Sequence, residues 1–184
     1  GPTRGGDWWR PVTATLLHAD PGHLAMNLVS GLMLLGVAMG RFGSGVTLLA
    51  TLLAGAAANA IPLLWRPDTF SSLGASGVVM AAQGLIFADA VMQQWKGRQP
   101  ARIIAGTLAA GVLLFVLMGM SPNSDVVAHL GGLLGGFGLG LLLAALPLTT
   151  LRRARWNVLA GFLYCLVVCT TWFLALRGAS APGG

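Results

Sequence analysis

Charge is what this chain has least of. Only 9% of its 184 residues are charged while 55% are hydrophobic, there is no glutamate, and the five acids are Asp7, Asp20, Asp68, Asp89 and Asp125. A soluble fold must cover itself with polar groups, so this balance excludes a water-soluble domain and points to a membrane protein. All five aspartates lie outside the apolar runs or at their ends. No carboxylate is therefore clearly available inside the membrane to complete a Ser-His-Asp triad, or to support a histidine zinc site from behind. Cysteine is scarce too: Cys165 and Cys169 stand four apart in one apolar run, where a disulfide between adjacent turns is geometrically poor. They read as two small apolar residues. The first 22 residues lack the apolar stretch of a signal peptide, and a chain that begins at Gly1 rather than at methionine reads as a fragment. No internal repeat relates the two halves, which speaks against a transporter.

What the chain does have is apolar runs of membrane-spanning length. A spanning helix needs ~20 mostly apolar residues, and six segments qualify: 22–40, 45–65, 74–92, 103–120, 126–147 and 156–176. The expected fold is an all-α polytopic transmembrane bundle with six spanning helices, in which short loops make sequential helices antiparallel neighbours. The net charge of +6 is not a nucleic-acid footprint, because it comes from cations in a few connections. Arg41, then Lys96, Arg98 and Arg102, then Arg152, Arg153 and Arg155 follow the first, third and fifth segments. By the positive-inside rule those connections face the cytoplasm. The opposite side has Arg4, Arg10, Arg66 and Arg177, offset by Asp7, Asp20, Asp68 and Asp125. The N-terminal segment is then outside, and the expected location is a bacterial inner membrane with the site opening to the non-cytoplasmic side.

This topology puts His23, Asn27, Ser76 and His129 at one depth, each near the outer start of its segment. Polar groups within a membrane are costly unless paired or hydrated, which makes these four the functional candidates. Ser76 sits in Gly74-Ala75-Ser76-Gly77, a pattern of modest specificity in a chain with 27 glycines. Small neighbours leave its hydroxyl uncrowded, and a helix start supplies free backbone N–H groups for a developing oxyanion. The alternative is an ordinary small residue at a helix contact. His129 heads a glycine-lined segment in which Gly132 and Gly136 follow on its own face. With Gly77, Ala81 and Gly84 on the third segment, they form two small-residue stripes that let backbones approach closely. A serine and a histidine need such an approach to meet at ~2.6–3.2 Å. The chemistry implied is a Ser76–His129 dyad, with Asp125 as a helix cap or solvated loop residue. His23 and Asn27, four apart on one face, can donate to an oxyanion together with the Ser76 backbone N–H. Alternatively they satisfy each other at the interface. A zinc reading of His18, His23 and His129 lacks both ligand spacing and a supporting carboxylate, so no metal or cofactor is expected.

Taken in order, Trp9-Arg10, His18, the stretch from His23 to Asn27, Gly74 to Gly77, and Ala128-His129 with Gly132 and Gly136 resemble the rhomboid family of intramembrane serine proteases. The resemblance runs from Trp8 to about Pro147. It implies endopeptidase cleavage of membrane-anchored, single-span substrates by a recessed Ser-His dyad, with Ser76, His129, His23 and Asn27 at the matching positions. Three departures stand out. The family's first core helix is not in this sequence; Met39 replaces a common glutamate; and Met80 stands where an aromatic usually packs on the histidine. The domain organisation expected is an outer loop segment over 1–21, a core of five spans over 22–147, and a basic inner loop with an additional C-terminal helix over 148–184. The competing reading is a non-catalytic relative that binds transmembrane segments. Oligomeric state is not legible.

Overall fold

The computed structural model describes residues 7–61, 73–120 and 125–179, and is all helical. A short helix α1 (Arg10–Thr13) leads through a 3-10 turn (Ala14–Leu16) into α2 (Pro21–Phe42), α3 (Ser44–Ala60), α4 (Ser76–Trp95), α5 (Ala101–Gly119), α6 (Val126–Ala145), α7 (Leu148–Leu151) and α8 (Ala154–Ala179). Proline and glycine punctuate it. Pro21 fills the first turn of α2, where its missing N–H costs nothing. Gly43, at φ +91°, ends α2 and at once opens α3, a conformation that favours glycine. Gly97, at φ +62°, follows the end of α4.

Four helices, α2, α4, α6 and α8, are long and apolar enough to cross a bilayer, while Ser44–Ala60 and Ala101–Leu117 are shorter apolar helices. The expected six spans are thus four by this measure among the described residues. The 17 residues of α3 reach about 26 Å at 1.5 Å per residue, short of a ~30 Å hydrocarbon layer. Residues 62–65 of the expected second segment lie outside the described residues.

At the centre stands α4, packed against α2, α3, α5 and α6. Its closest partner is α6, and the reason is small residues. A β-carbon at Gly132 would run into the Gly77 backbone, one at Gly136 into Ala81, and one at Gly84 into the stretch from Leu133 to Phe137. At the next level, one at Gly140 would come within 2.6 Å of Ala88 Cβ. The register rises in the same direction on both helices, so α4 and α6 run parallel. In lipid there is no hydrophobic drive between helices, and close backbone packing of this kind supplies the attraction.

The expectation that sequential helices neighbour one another fails at the C-terminus, where α8 packs on α3 and α1 rather than on α6. Asn157 and Gly161 explain this. The Asn157 side chain lies over Gly43, while the backbone of Asn157 and Gly161 meets Gly45, leaving no room for a side chain at either glycine. Asn157 Nδ2 also donates to Leu151 O (2.7 Å), and Val46 N donates to Asn157 Oδ1 (3.4 Å). Leu151 of α7 is buried with Ala38, Phe42, Met92 and Ala144, closing that end of the bundle.

Candidate active site

The opposite end gathers the polar residues. Asp20 caps α2: its carboxylate accepts from His23 N at 2.8 Å from an extended backbone. This cap fixes His23 in the first turn, with Asn27 one turn further along the same face. Both meet the Gly74 backbone. A β-carbon at Gly74 would lie 2.7 Å from His23 Cε1, 2.8 Å from its Nε2 and 3.5 Å from Asn27 Nδ2. Gly74 is also at φ +121°, so both its conformation and its neighbours require glycine. Its N–H donates to Ala14 O at 2.9 Å, which ties the strand of chain before α4 to the 3-10 turn. Asn27 is 7% exposed, and its amide nitrogen is buried with no hydrogen-bond partner among the described residues. Leaving a buried donor unmade costs about 1–3 kcal/mol, so this amide is a donor without an acceptor.

Ser76 is the first residue of α4, and no side chain caps that end. The early N–H groups of a helix have no partner within it, so they remain as donors beside the hydroxyl. Met80, one turn on, is buried. On α6, Asp125 caps the helix by accepting from Ala128 N at 3.2 Å, which decides between the two roles the sequence left open for it. His129 follows in the second turn and is 4% exposed. The contact of Gly132 with Gly77 sets the relation between the two helices: Ser76 is one residue before Gly77, and His129 is one turn before Gly132. Both therefore belong to the same end of the α4–α6 pair, with Gly136 one turn deeper.

Trp9 and Arg10 belong to the α1 side. Trp9 stacks edge-on against Trp8 with centroids 6.1 Å apart, its ring faces Gly178 of α8, and Arg10 pairs with Asp7 at 2.9 Å. Two further residues emerge that sequence reasoning passed over or left without a role. The rings of His18 and His23 meet edge to face at 5.3 Å, and His18 Nε2 is buried without a partner among the described residues. Asn59, at the end of α3, donates to Pro11 O at 3.2 Å, and its side-chain oxygen lies beside Gly77. An asparagine inside the apolar run 45–65 was the available signal. An apolar cleft of about 340 Å³ runs down from Asn27 and Ala75 between α2 and α4, lined by Leu28, Gly31, Leu35 and Val79.

Comparison with known proteins matches residues 5–146 to the Rhomboid domain. The chain is 30% identical over 138 residues to Rhomboid protease GluP of Bacillus subtilis, covering 72% of this chain and 25% of that protein. It is 32% identical over 139 residues to Putative rhomboid protease YdcA of the same organism, covering 74% and 68%. With Rhomboid protease AarA of Providencia stuartii it shares 26% over 153 residues, covering 71% and 54%. The chain thus spans about a quarter of the length of the first of these relatives. No solved structure matches it. With apolar helices of spanning length and a domain match over most of its residues, the chain is a multi-pass integral membrane protein that belongs to the rhomboid family.

Proposed function

We propose that this chain is an intramembrane serine endopeptidase in which Ser76 is the nucleophile and His129 its general base. The observation that carries the reading is the contact of Gly132 with Gly77, which brings the start of α4 and the head of α6 to one level with no side chain between them. In the proposed mechanism the Ser76 hydroxyl attacks the scissile carbonyl carbon while the His129 imidazole accepts its proton. The carbonyl oxygen becomes an oxyanion held by the Ser76 N–H, the Asn27 amide and the His23 imidazole. His129 then returns the proton to the leaving amine, and water hydrolyses the acyl-serine by the same steps in reverse order. The unpartnered Asn27 amide supports this role, because a preorganised donor needs no rearrangement when charge develops. His18 positions His23 through the ring contact. The residues 22–147 form the catalytic core in this reading, and 148–184 an accessory helix.

The substrates proposed are single-span membrane proteins cut near the outer end of their helix. A helix hides its carbonyls in hydrogen bonds, so glycine or proline near the cut site should favour cleavage. The site end faces the non-cytoplasmic side of a bacterial inner membrane, with the arginine-rich end inside.

The test is labelling of the detergent-solubilised protein with a fluorophosphonate probe. Labelling should vanish in Ser76→Ala and fall by about 10²-fold or more in His129→Ala, with melting temperatures close to that of the starting protein. A folded protein that does not react, alone or as part of a longer gene product, would favour the transmembrane-segment-binding reading instead.

A further inference from the structure

The end of the bundle opposite the candidate site carries nearly all of the molecule's charge imbalance. Arg41, Lys96, Arg98, Arg102, Arg152, Arg153 and Arg155 lie there against Asp89 alone, whereas the four cations of the other connections are matched by four aspartates. The seven cations at this end exceed their one acid by six, as much as the formal net charge of +6. The packing gathers these cations from separate connections. Arg41 of α2 pairs with Asp89 of α4 at 2.7 Å, which removes the one acid. Lys96 Nζ donates to Ala144 O at the end of α6 at 2.8 Å, and Leu151, buried under the bundle, fixes the arginines that follow it.

Arg98, Arg102, Arg152, Arg153 and Arg155 remain exposed. Two tryptophans sit among them. Trp95 is 80% exposed at the end of α4, and the Arg155 guanidinium lies 5.2 Å over the ring of the exposed Trp156. Exposed tryptophan at the ends of apolar helices is the composition of a membrane–water interface. A partner at that level has to combine apolar chains with anionic oxygen acceptors.

We infer that this end is a docking surface for anionic phospholipid headgroups, which bind through their phosphodiester oxygens to the arginines while their chains lie along α8 and α5. A nucleic acid would need the cations and tryptophans clear of the bilayer, and α4 and α8 hold the tryptophans at its boundary. Arginine presents a planar fork suited to phosphate. Each cation near an anionic leaflet is worth about fivefold in binding.

Thermal unfolding of the purified protein in neutral detergent tests this, with dioleoylphosphatidylglycerol and dioleoylphosphatidylcholine titrated separately. Phosphatidylglycerol should stabilise at mole fractions at least about tenfold lower than phosphatidylcholine. That advantage should collapse in about 0.5 M NaCl and in the combined variant Arg152→Gln, Arg153→Gln, Arg155→Gln, while Arg177→Gln at the other end keeps it. Equal action of the two lipids on the starting protein, an advantage that survives salt, or one that survives in the folded variant would each overturn the inference. If the triple variant fails to fold, Arg98→Gln with Arg102→Gln and the salt titration of the starting protein decide the matter. Stabilisation by a DNA oligonucleotide without any preference between the lipids would replace the lipid surface with a nucleic-acid one.

Discussion

Two helix pairs in this molecule are built on glycine, and they are built differently. The α4–α6 pair is in backbone contact at successive levels from Gly77 and Gly132 down to Ala88 and Gly140. The α3–α8 pair has its tightest backbone contact at one end, where Asn157 and Gly161 lie on Gly43 and Gly45, while further along α8 the contacts are through side chains, with Thr171 buried and Trp9 against Gly178. Burial differs as well: 61% of the apolar stretch of α4, which α2, α3, α5 and α6 enclose, is inside the molecule, against 28% for α6 and 6% for α8. A pair in contact along its length can hold two residues at fixed relative positions, and that is the pair bearing Ser76 and His129. A pair whose backbones meet at one end, and by side chains elsewhere, holds a helix in place with less precise registry along the rest of its length.

Filling the two interfaces should give different losses. Gly136→Val drives a branched side chain into the Ala81 backbone, so the protein should lose about 3 kcal/mol or more; both its melting transition and its probe labelling should disappear. Gly45→Leu should cost about 1–3 kcal/mol and free α8 while Ser76 stays reactive. After trypsin cuts the Arg152 to Arg155 connection, the α8 fragment should separate on size exclusion only in this variant; retention would show that α8 is held along more of its length. Asn157→Ala removes two hydrogen bonds at the fastening point and should lower stability by about 1 kcal/mol, measured by thermal unfolding, with labelling unchanged. The smallest effect belongs to a third interface. Gln83, buried in α4, donates to Gly111 O of α5, and Gln83→Met should cost about 0.6 kcal/mol, as single interhelical hydrogen bonds do in membranes.

The glycine spacing of α4 and α6 was legible in the sequence because two helices in lipid have little else to attract them, and small residues three and four apart mark a face. The start of α4 was legible to within two residues, 74 expected against Ser76 observed, and a cap was one of two roles open to Asp125, for a similar local reason: glycine and aspartate announce helix ends. The partner of α8 was not legible. Its contact with α3 rests on Asn157 meeting residues more than a hundred positions earlier, and short connections favour a different neighbour. The Arg41–Asp89 pair was hidden because each residue, read alone, looked like an interfacial charge. The short helices α1 and α7 carry too few residues to show a period. The meeting of His23 with Gly74 depends on a positive φ that no spacing rule reports.

The clamp on the α2–α3 turn has a consequence for biogenesis. Val46 N and the Asn157 side chain are 111 positions apart, so α2 and α3 leave the ribosome as a hairpin whose turn has nothing against it. At about 5–20 residues per second the residue that closes over Gly43 and Gly45 arrives on the order of ten seconds later. The α2–α3 hairpin is therefore locked only once α8 is in place, and a translation product arrested before Asn157 would hold every candidate site residue yet leave that turn unsealed.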